Sequence, residues 1–102
     1  MALSNERLVG DQLPSTNGTL YTVPAAKKVS VTSITLANTG SSTRTVTITL
    51  AGIAVISAYS LEAHETFGLS IAHVLYTTEL IEGFQTAGTD VDVLISGVTE
   101  DV

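Results

Sequence analysis

The segment Thr43-Arg44-Thr45-Val46-Thr47-Ile48-Thr49-Leu50 decides the class of fold. Its aliphatic residues alternate with threonines, and this period of two is typical of a β-strand that buries one face. The opposite face consists of Thr45, Thr47 and Thr49. We interpret that face either as solvated or as a flat surface that contacts another protein, because hydroxyl groups form hydrogen bonds without the cost of desolvating charges. These three threonines are therefore candidate interface residues.

In the segment before this strand, the alternation of apolar and polar residues changes phase. Val29 and Val31 share one parity, whereas Ile34 and Leu36 share the other. A single strand over residues 28–38 can bury both pairs only if a β-bulge lies near Thr32 and Ser33. Residues 38–42, Asn-Thr-Gly-Ser-Ser, are turn formers, so we predict that this strand and the next form a hairpin.

Further short strands are expected at nearly even spacing along the chain. They are predicted over residues 18–23, 53–61, 66–71, 79–86 and 90–98. This pattern predicts an all-β protein with a single antiparallel β-sandwich or jelly-roll-like domain.

The first 17 residues differ from the rest because their apolar residues have no strand-like period and Pro14 follows them. We predict an extended N-terminal arm over residues 1–17 and a sandwich domain over residues 18–102. The arm is expected to dock on a neighbouring molecule. Its candidate contact residues are Leu3, Arg7, Leu8 and Leu13.

Composition narrows the classes of partner. Charged residues make up only 14% of the chain, against about a quarter in an ordinary soluble domain, so the surface must be unusually neutral. The net charge is −6 with four cations, which disfavours nucleic acid as a partner. The N-terminal sequence is unlike a signal peptide, and the longest apolar stretch, around residues 50–58, is too short to cross a membrane. We therefore expect partners that are proteins.

Catalytic and metal-binding patterns are not found in the sequence. His64 and His73 are the only histidines, and neither has a second ligand at metal-binding spacing. Asp90 and Asp92 share a predicted strand face, which we interpret as solvated. No serine lies in a Gly-x-Ser-x-Gly elbow. The prediction is a protein that is not an enzyme and has no catalytic residues, no cofactor and no metal.

Several motifs resemble those of small β-sandwich virion proteins of tailed bacteriophages. They are Leu-Tyr-Thr-Val-Pro-Ala-Ala-Lys at 20–27, Val-Thr-Ser-Ile-Thr-Leu-Ala-Asn-Thr-Gly at 31–40, Val-Thr-Ile at 46–48, Leu-Glu-Ala-His-Glu-Thr at 61–66 and Ile-Ser-Gly-Val at 95–98. The resemblance covers roughly residues 18–98. Ala26 and His64 stand where such proteins tend to have glycine.

The resemblance implies a structural role in the virion. The expected protein is a capsid decoration (cement) protein that clamps neighbouring major capsid subunits on the outside of the head. It would be made in the cytoplasm of the bacterial host and would bind the major capsid protein and itself, with a trimer as the expected oligomer. A neck, tail or baseplate component, and a module that binds a host receptor or carbohydrate, are the alternatives.

Overall fold

The computed structural model describes residues 3–86, 88 and 90–101. Eight strands account for most of them: β1 (Leu3–Gln12), β2 (Gly18–Thr22), β3 (Lys27–Asn38), β4 (Arg44–Leu50), β5 (Ile53–Leu61), β6 (Thr66–Leu75), β7 (Leu80–Gln85) and β8 (Val91–Asp101). Within these ranges there is no helix long and apolar enough to cross a membrane. The prediction of an all-β protein is confirmed.

The strands form two four-stranded sheets that pack face to face. The first sheet has the order β1-β8-β3-β6 and the second has the order β2-β7-β4-β5, with antiparallel neighbours throughout. This strand order is that of a jelly roll. Aliphatic side chains from both sheets fill the space between them, and the alternation of Val46, Ile48 and Leu50 places all three in this core.

The bulge predicted in β3 is present. Val29 and Val31 are fully buried, as are Ile34 and Leu36, and the register between β3 and β8 shifts between Val31 and Ser33. The extra residue, Thr32, reverses the phase of the strand and so keeps both apolar pairs in the core.

The prediction of an N-terminal arm is wrong for the described residues. β1 is one of the two edge strands of the first sheet and pairs along its length with β8. Leu8, Val9 and Leu13 lie in the core of their own domain. The register shifts between Arg7 and Val9, so Leu8 is an extra residue and two consecutive side chains point inward. This bulge removes the period of two that identifies a strand in the sequence.

The segment after β1 is also fixed to the sandwich, so the predicted boundary at residue 17 does not separate two units. The side-chain amide of buried Gln85 donates a hydrogen bond to the carbonyl of Leu13 (2.6 Å), and the Gln85 backbone N–H donates to the carbonyl of Pro14 (2.8 Å). Leu13 N–H donates to the carbonyl of Val91 (2.9 Å).

The predicted hairpin between β3 and β4 is wrong, because these strands belong to different sheets. The buried Asn38 side chain explains the crossing: its Nδ2 donates to the carbonyls of Ser42 (2.8 Å) and Leu61 (3.1 Å), and its Oδ1 accepts from Gly40 N–H (3.0 Å). The loop is thereby held across the end of the sandwich. The hairpin of this region joins β4 to β5 through Ala51 (φ 52°) and Gly52 (φ 79°).

Several turns have a left-handed backbone at a residue other than glycine, and Ala26 and His64 are two of these residues. Ala26 (φ 61°) precedes β3, and His64 (φ 60°) lies between β5 and β6. Both stand at positions where the resembling virion proteins tend to have glycine, so these turns have the geometry expected of glycine but carry a side chain.

Candidate interaction surfaces

The three candidate threonines lie together on the outer face of the second sheet. β4 is an inner strand of that sheet, between β7 and β5, and Thr45, Thr47 and Thr49 are half-buried on the side away from the core. Thr47 Oγ1 accepts a hydrogen bond from Ala58 N–H (3.1 Å) where β5 bulges. One hydroxyl of the face thus stabilises the domain itself, and the contact of this face with a partner remains a prediction.

The four candidate residues of the N-terminal segment do not form one surface. Leu8 and Leu13 are buried in the core, so the prediction that they contact a neighbour is wrong. Leu3 is 68% exposed and Arg7 is exposed, both on β1. Only this exposed pair is available to a partner.

A shallow groove lies on the outer face of the first sheet. Its centre is Leu94 of β8, a large apolar residue that is 44% exposed. Leu94 is paired with Gly10 of β1 on one side and with Thr35 of β3 on the other, and Gly68 of β6 is paired with Thr35. These small neighbours leave Leu94 accessible from the side as well as from above. The groove has a volume of about 510 Å³.

The rim of the groove is charged. Arg7 lies over Gly10, where a Cβ atom would be 3.2 Å from Arg7 Cδ. Gln12 and Asp92, which are paired with each other on the outer face, complete the rim. A bound partner would therefore contact Leu94 at the centre of the groove and hydrogen-bonding groups of both charge signs around it.

The other cations are already paired within the domain. Lys27 pairs with Asp101, Lys28 Nζ is 2.9 Å from Glu100 Oε1, and Arg44 Nη2 is 2.8 Å from Asp90 Oδ2.

The hydrogen bond to Asp101 raises the pKa of Lys27, and the hydrogen bond to Glu100 raises the pKa of Lys28. In the described part of the chain, Arg7 is the one cation without a carboxylate within 4.0 Å.

A second concave surface lies between the two sheets, on the side of the sandwich formed by β5 and β6. At one end the rings of Tyr59 and Phe67 close the gap, with centroids 4.5 Å apart, and Tyr59 Oη donates to Glu65 Oε2 (3.2 Å). Burial and this hydrogen bond raise the pKa of Tyr59. Towards the other end the gap opens into an apolar cleft of about 230 Å³, which we call the edge cleft. Its mouth carries Ile53 (70% exposed) and Val74 (46% exposed).

The candidate titratable residues of the sequence do not come together at one site. Among the described residues, no three His, Asp or Glu side chains are grouped closely enough to hold a metal ion. Asp90, a candidate carboxylate of the sequence, accepts hydrogen bonds from both Nε and Nη2 of Arg44. Asp92 lies on the rim of the groove. His64 and His73 are exposed at separate places, in a turn and on β6.

Leu94 was not predicted, although the sequence contains a signal for it. Val91, Val93 and Ile95 already supply the inward face of β8, so Leu94 must point outward in phase with Asp92. Single exposed apolar residues are common on protein surfaces, so it is the groove around Leu94 that makes this leucine a candidate contact residue.

No protein-family model and no curated protein sequence matches the chain. Among solved structures, the chain is similar to the core domain of Drosophila NLP, with a TM-score of 0.51 and 15% sequence identity over 99% of this chain and 100% of that one. The likeness is one of fold. That structure is described as giving insight into pentamer formation and histone binding.

Proposed function

We propose that this chain is a structural virion protein of a tailed bacteriophage, and specifically a decoration protein that binds the major capsid protein on the outside of the head. The observation that carries the proposal is the Leu94 groove. The motif resemblance over residues 18–98 supplies the virion context, and the groove supplies a surface through which such a protein could bind.

The groove suits a protein partner for three physical reasons. The exposed part of Leu94 can be buried by a protruding side chain, and apolar burial contributes about 25 cal/mol per Å². The small residues around it have little side-chain entropy to lose on contact. The rim offers Arg7 for a carboxylate and Asp92 for a donor, which fixes the orientation of the partner.

The proposed mechanism is stabilisation by mass action. A protein that binds the expanded shell and not its precursor stabilises the expanded state by its binding free energy. One groove is small compared with a standard interface, so firm attachment requires several weak contacts that act together in an oligomer. A protein of the same fold, the Drosophila NLP core, is described as forming pentamers, which supports self-association as a use of such a sandwich.

The first experiment asks where the protein is in the particle. Separated DNA-filled heads and tails are probed for the chain after sedimentation, and we expect it with the heads. Recovery only with the tails would overturn decoration in favour of a neck, tail or baseplate role. Retention of glycans by the purified chain on an array would favour the carbohydrate-binding alternative.

The second experiment tests the groove. Purified wild-type chain, Leu94→Glu and Leu3→Glu are added to heads that lack the protein, and occupancy is measured after sedimentation. We expect L94E to bind at least about tenfold more weakly, which corresponds to about 1.4 kcal/mol. L3E introduces the same charge at another exposed leucine of the same sheet and should retain binding. Loss with L3E and retention with L94E would move the contact to the edge of β1.

A further inference from the structure

The four edge strands of the sandwich differ in how well they are protected. β1 and β6 are the edges of the first sheet, and β2 and β5 are those of the second. An edge strand exposes unpaired backbone N–H and C=O groups that can pair with another chain. Charged residues, proline, bulges or short length normally block such pairing.

Three of these edges are more strongly protected than the fourth. β1 carries Glu6, Arg7 and Asp11. β2 has only five residues, and β5 is irregular at two places against β4. β6 has ten residues, Thr-Phe-Gly-Leu-Ser-Ile-Ala-His-Val-Leu, with no Lys, Arg, Asp, Glu or Pro, and its pairing with β3 is irregular at one place, between Ser70 and His73. β6 is therefore the edge most able to accept a further strand.

The edge cleft lies directly behind this strand. His73, Val74 and Leu75 of β6 form one wall, and Ile53 and Val55 of β5 form the other. A strand added to β6 would extend the first sheet beyond its present edge. Its inward side chains would then cover the exposed Ile53 and the mouth of the cleft.

We propose that two copies of this chain pair antiparallel through β6 and join their first sheets into one continuous sheet. The absence of charged residues from the two strands on this side of the domain favours a second copy of the chain as the partner of β6. A two-fold axis places equivalent side chains near one another, so a self-pairing surface of a chain with net charge −6 must avoid its own charges. Both strands on this side, β5 and β6, contain no Lys, Arg, Asp or Glu.

The size of the contact is sufficient for a specific pair. The sandwich measures 45 × 20 × 18 Å. A strand of ten residues is about 33 Å long. A contact of that length and of the sandwich thickness covers roughly 600 Å² per copy, or about 1,200 Å² in total, which is the lower end of the range for stable specific interfaces.

The pairing also places the two Leu94 grooves on the same side. The two-fold axis between antiparallel strands of one sheet is perpendicular to that sheet, so both outer faces point in one direction. A flat surface could then be bound by both grooves at once, which raises the effective concentration of the second contact. Self-pairing itself does not depend on head binding and is tested without heads.

Sedimentation equilibrium of the full chain tests the pairing. At about 100 μM we expect twice the mass of one chain for the wild type. The double variant Ser70→Lys with Ala72→Lys adds two charges at exposed positions of β6 and should dissociate to monomers, with at least about a tenfold weaker association. Ser4→Lys with Asn5→Lys adds the same charge to exposed positions of β1 and should remain dimeric. A monomeric or trimeric wild type, or a dimeric β6 variant, would overturn the proposal.

A second variant tests the same pairing without adding charge, so its result does not depend on whether the domain still folds with two lysines in β6. The chain has no cysteine, so a single introduced thiol reports only its own contacts. Ser70 lies near the midpoint of β6. A two-fold axis at this point brings the two copies of the residue to a Cβ separation of about 4.5–5.5 Å. A small backbone adjustment would then allow two cysteines at this position to form a disulfide. Under mild oxidation Ser70→Cys should form a covalent dimer rapidly, whereas Ser4→Cys should not. Equal rates for both variants would contradict pairing through β6.

Discussion

Deletion of residues 2–13 should abolish folding, although the sequence predicted a separable arm at this place. The deletion removes β1 together with Leu8, Val9 and Leu13, all buried. Full burial of one such side chain contributes about 1.5–3 kcal/mol, so the three contribute roughly 5–9 kcal/mol. The hydrogen bonds that Leu13 makes with Gln85 and Val91 are lost as well, each at about 0.5–1.5 kcal/mol.

This loss is comparable with the whole free energy of unfolding of a chain of this length, about 5–15 kcal/mol. Far-ultraviolet circular dichroism during thermal denaturation is the assay, and the truncated chain should have no cooperative transition. Deletion of residues 2–4 is the control, because Leu3 and Ser4 are exposed, and it should change stability by less than about 1 kcal/mol. A cooperative transition near the wild-type temperature after deletion of residues 2–13 would refute the assignment of β1 to the core.

Three further features are tested by single substitutions. Gly97→Ala should destabilise by about 2–3 kcal/mol in denaturant titration, because its Cβ would lie 2.4 Å from a backbone oxygen of β3, whereas Gly68→Ala, with no atom within 4 Å, should be nearly neutral. Ala26→Gly should raise stability by about 0.5–1 kcal/mol by relieving the left-handed backbone, and a lower melting temperature would contradict that strain. The raised pKa of Tyr59 contributes stability that is fully present below pH 10.0, its ordinary pKa, and is lost as the pH rises through the raised value. Between about pH 9 and pH 11.5 the melting temperature of Tyr59→Phe should therefore fall less than that of the wild type, and parallel curves would count against this explanation.

The sequence predicted the fold where local patterns determine the structure. The alternation in β4 and the change of phase in β3 are properties of neighbouring residues, and both were interpreted correctly. β1 was missed because the bulge at Leu8 breaks its period. The crossing after β3 was missed because Asn-Thr-Gly suits either a hairpin or a crossing loop, and the choice depends on the distant carbonyl of Leu61.

The candidate surfaces were less accessible to prediction than the strands. The outward position of the threonine face follows from period alone. The groove depends on which strands lie beside Leu94, and Gly10 and Gly68 approach it from β1 and, across β3, from β6. Strand order in a jelly roll is set by pairing between residues that are distant in sequence, and local sequence patterns do not determine these pairs.

The pairing of β1 with β8 has a consequence for the order of folding. These are the first and last strands of the sandwich, and Leu3 is opposite Glu100. During synthesis the apolar side chains of β1 have no partner strand until nearly the whole sandwich has left the ribosome. Contacts between such distant residues form slowly because the intervening chain must lose entropy before they contribute stability. The sandwich should therefore fold only after β8 has left the ribosome, and chains released before residue 90 should aggregate or be degraded.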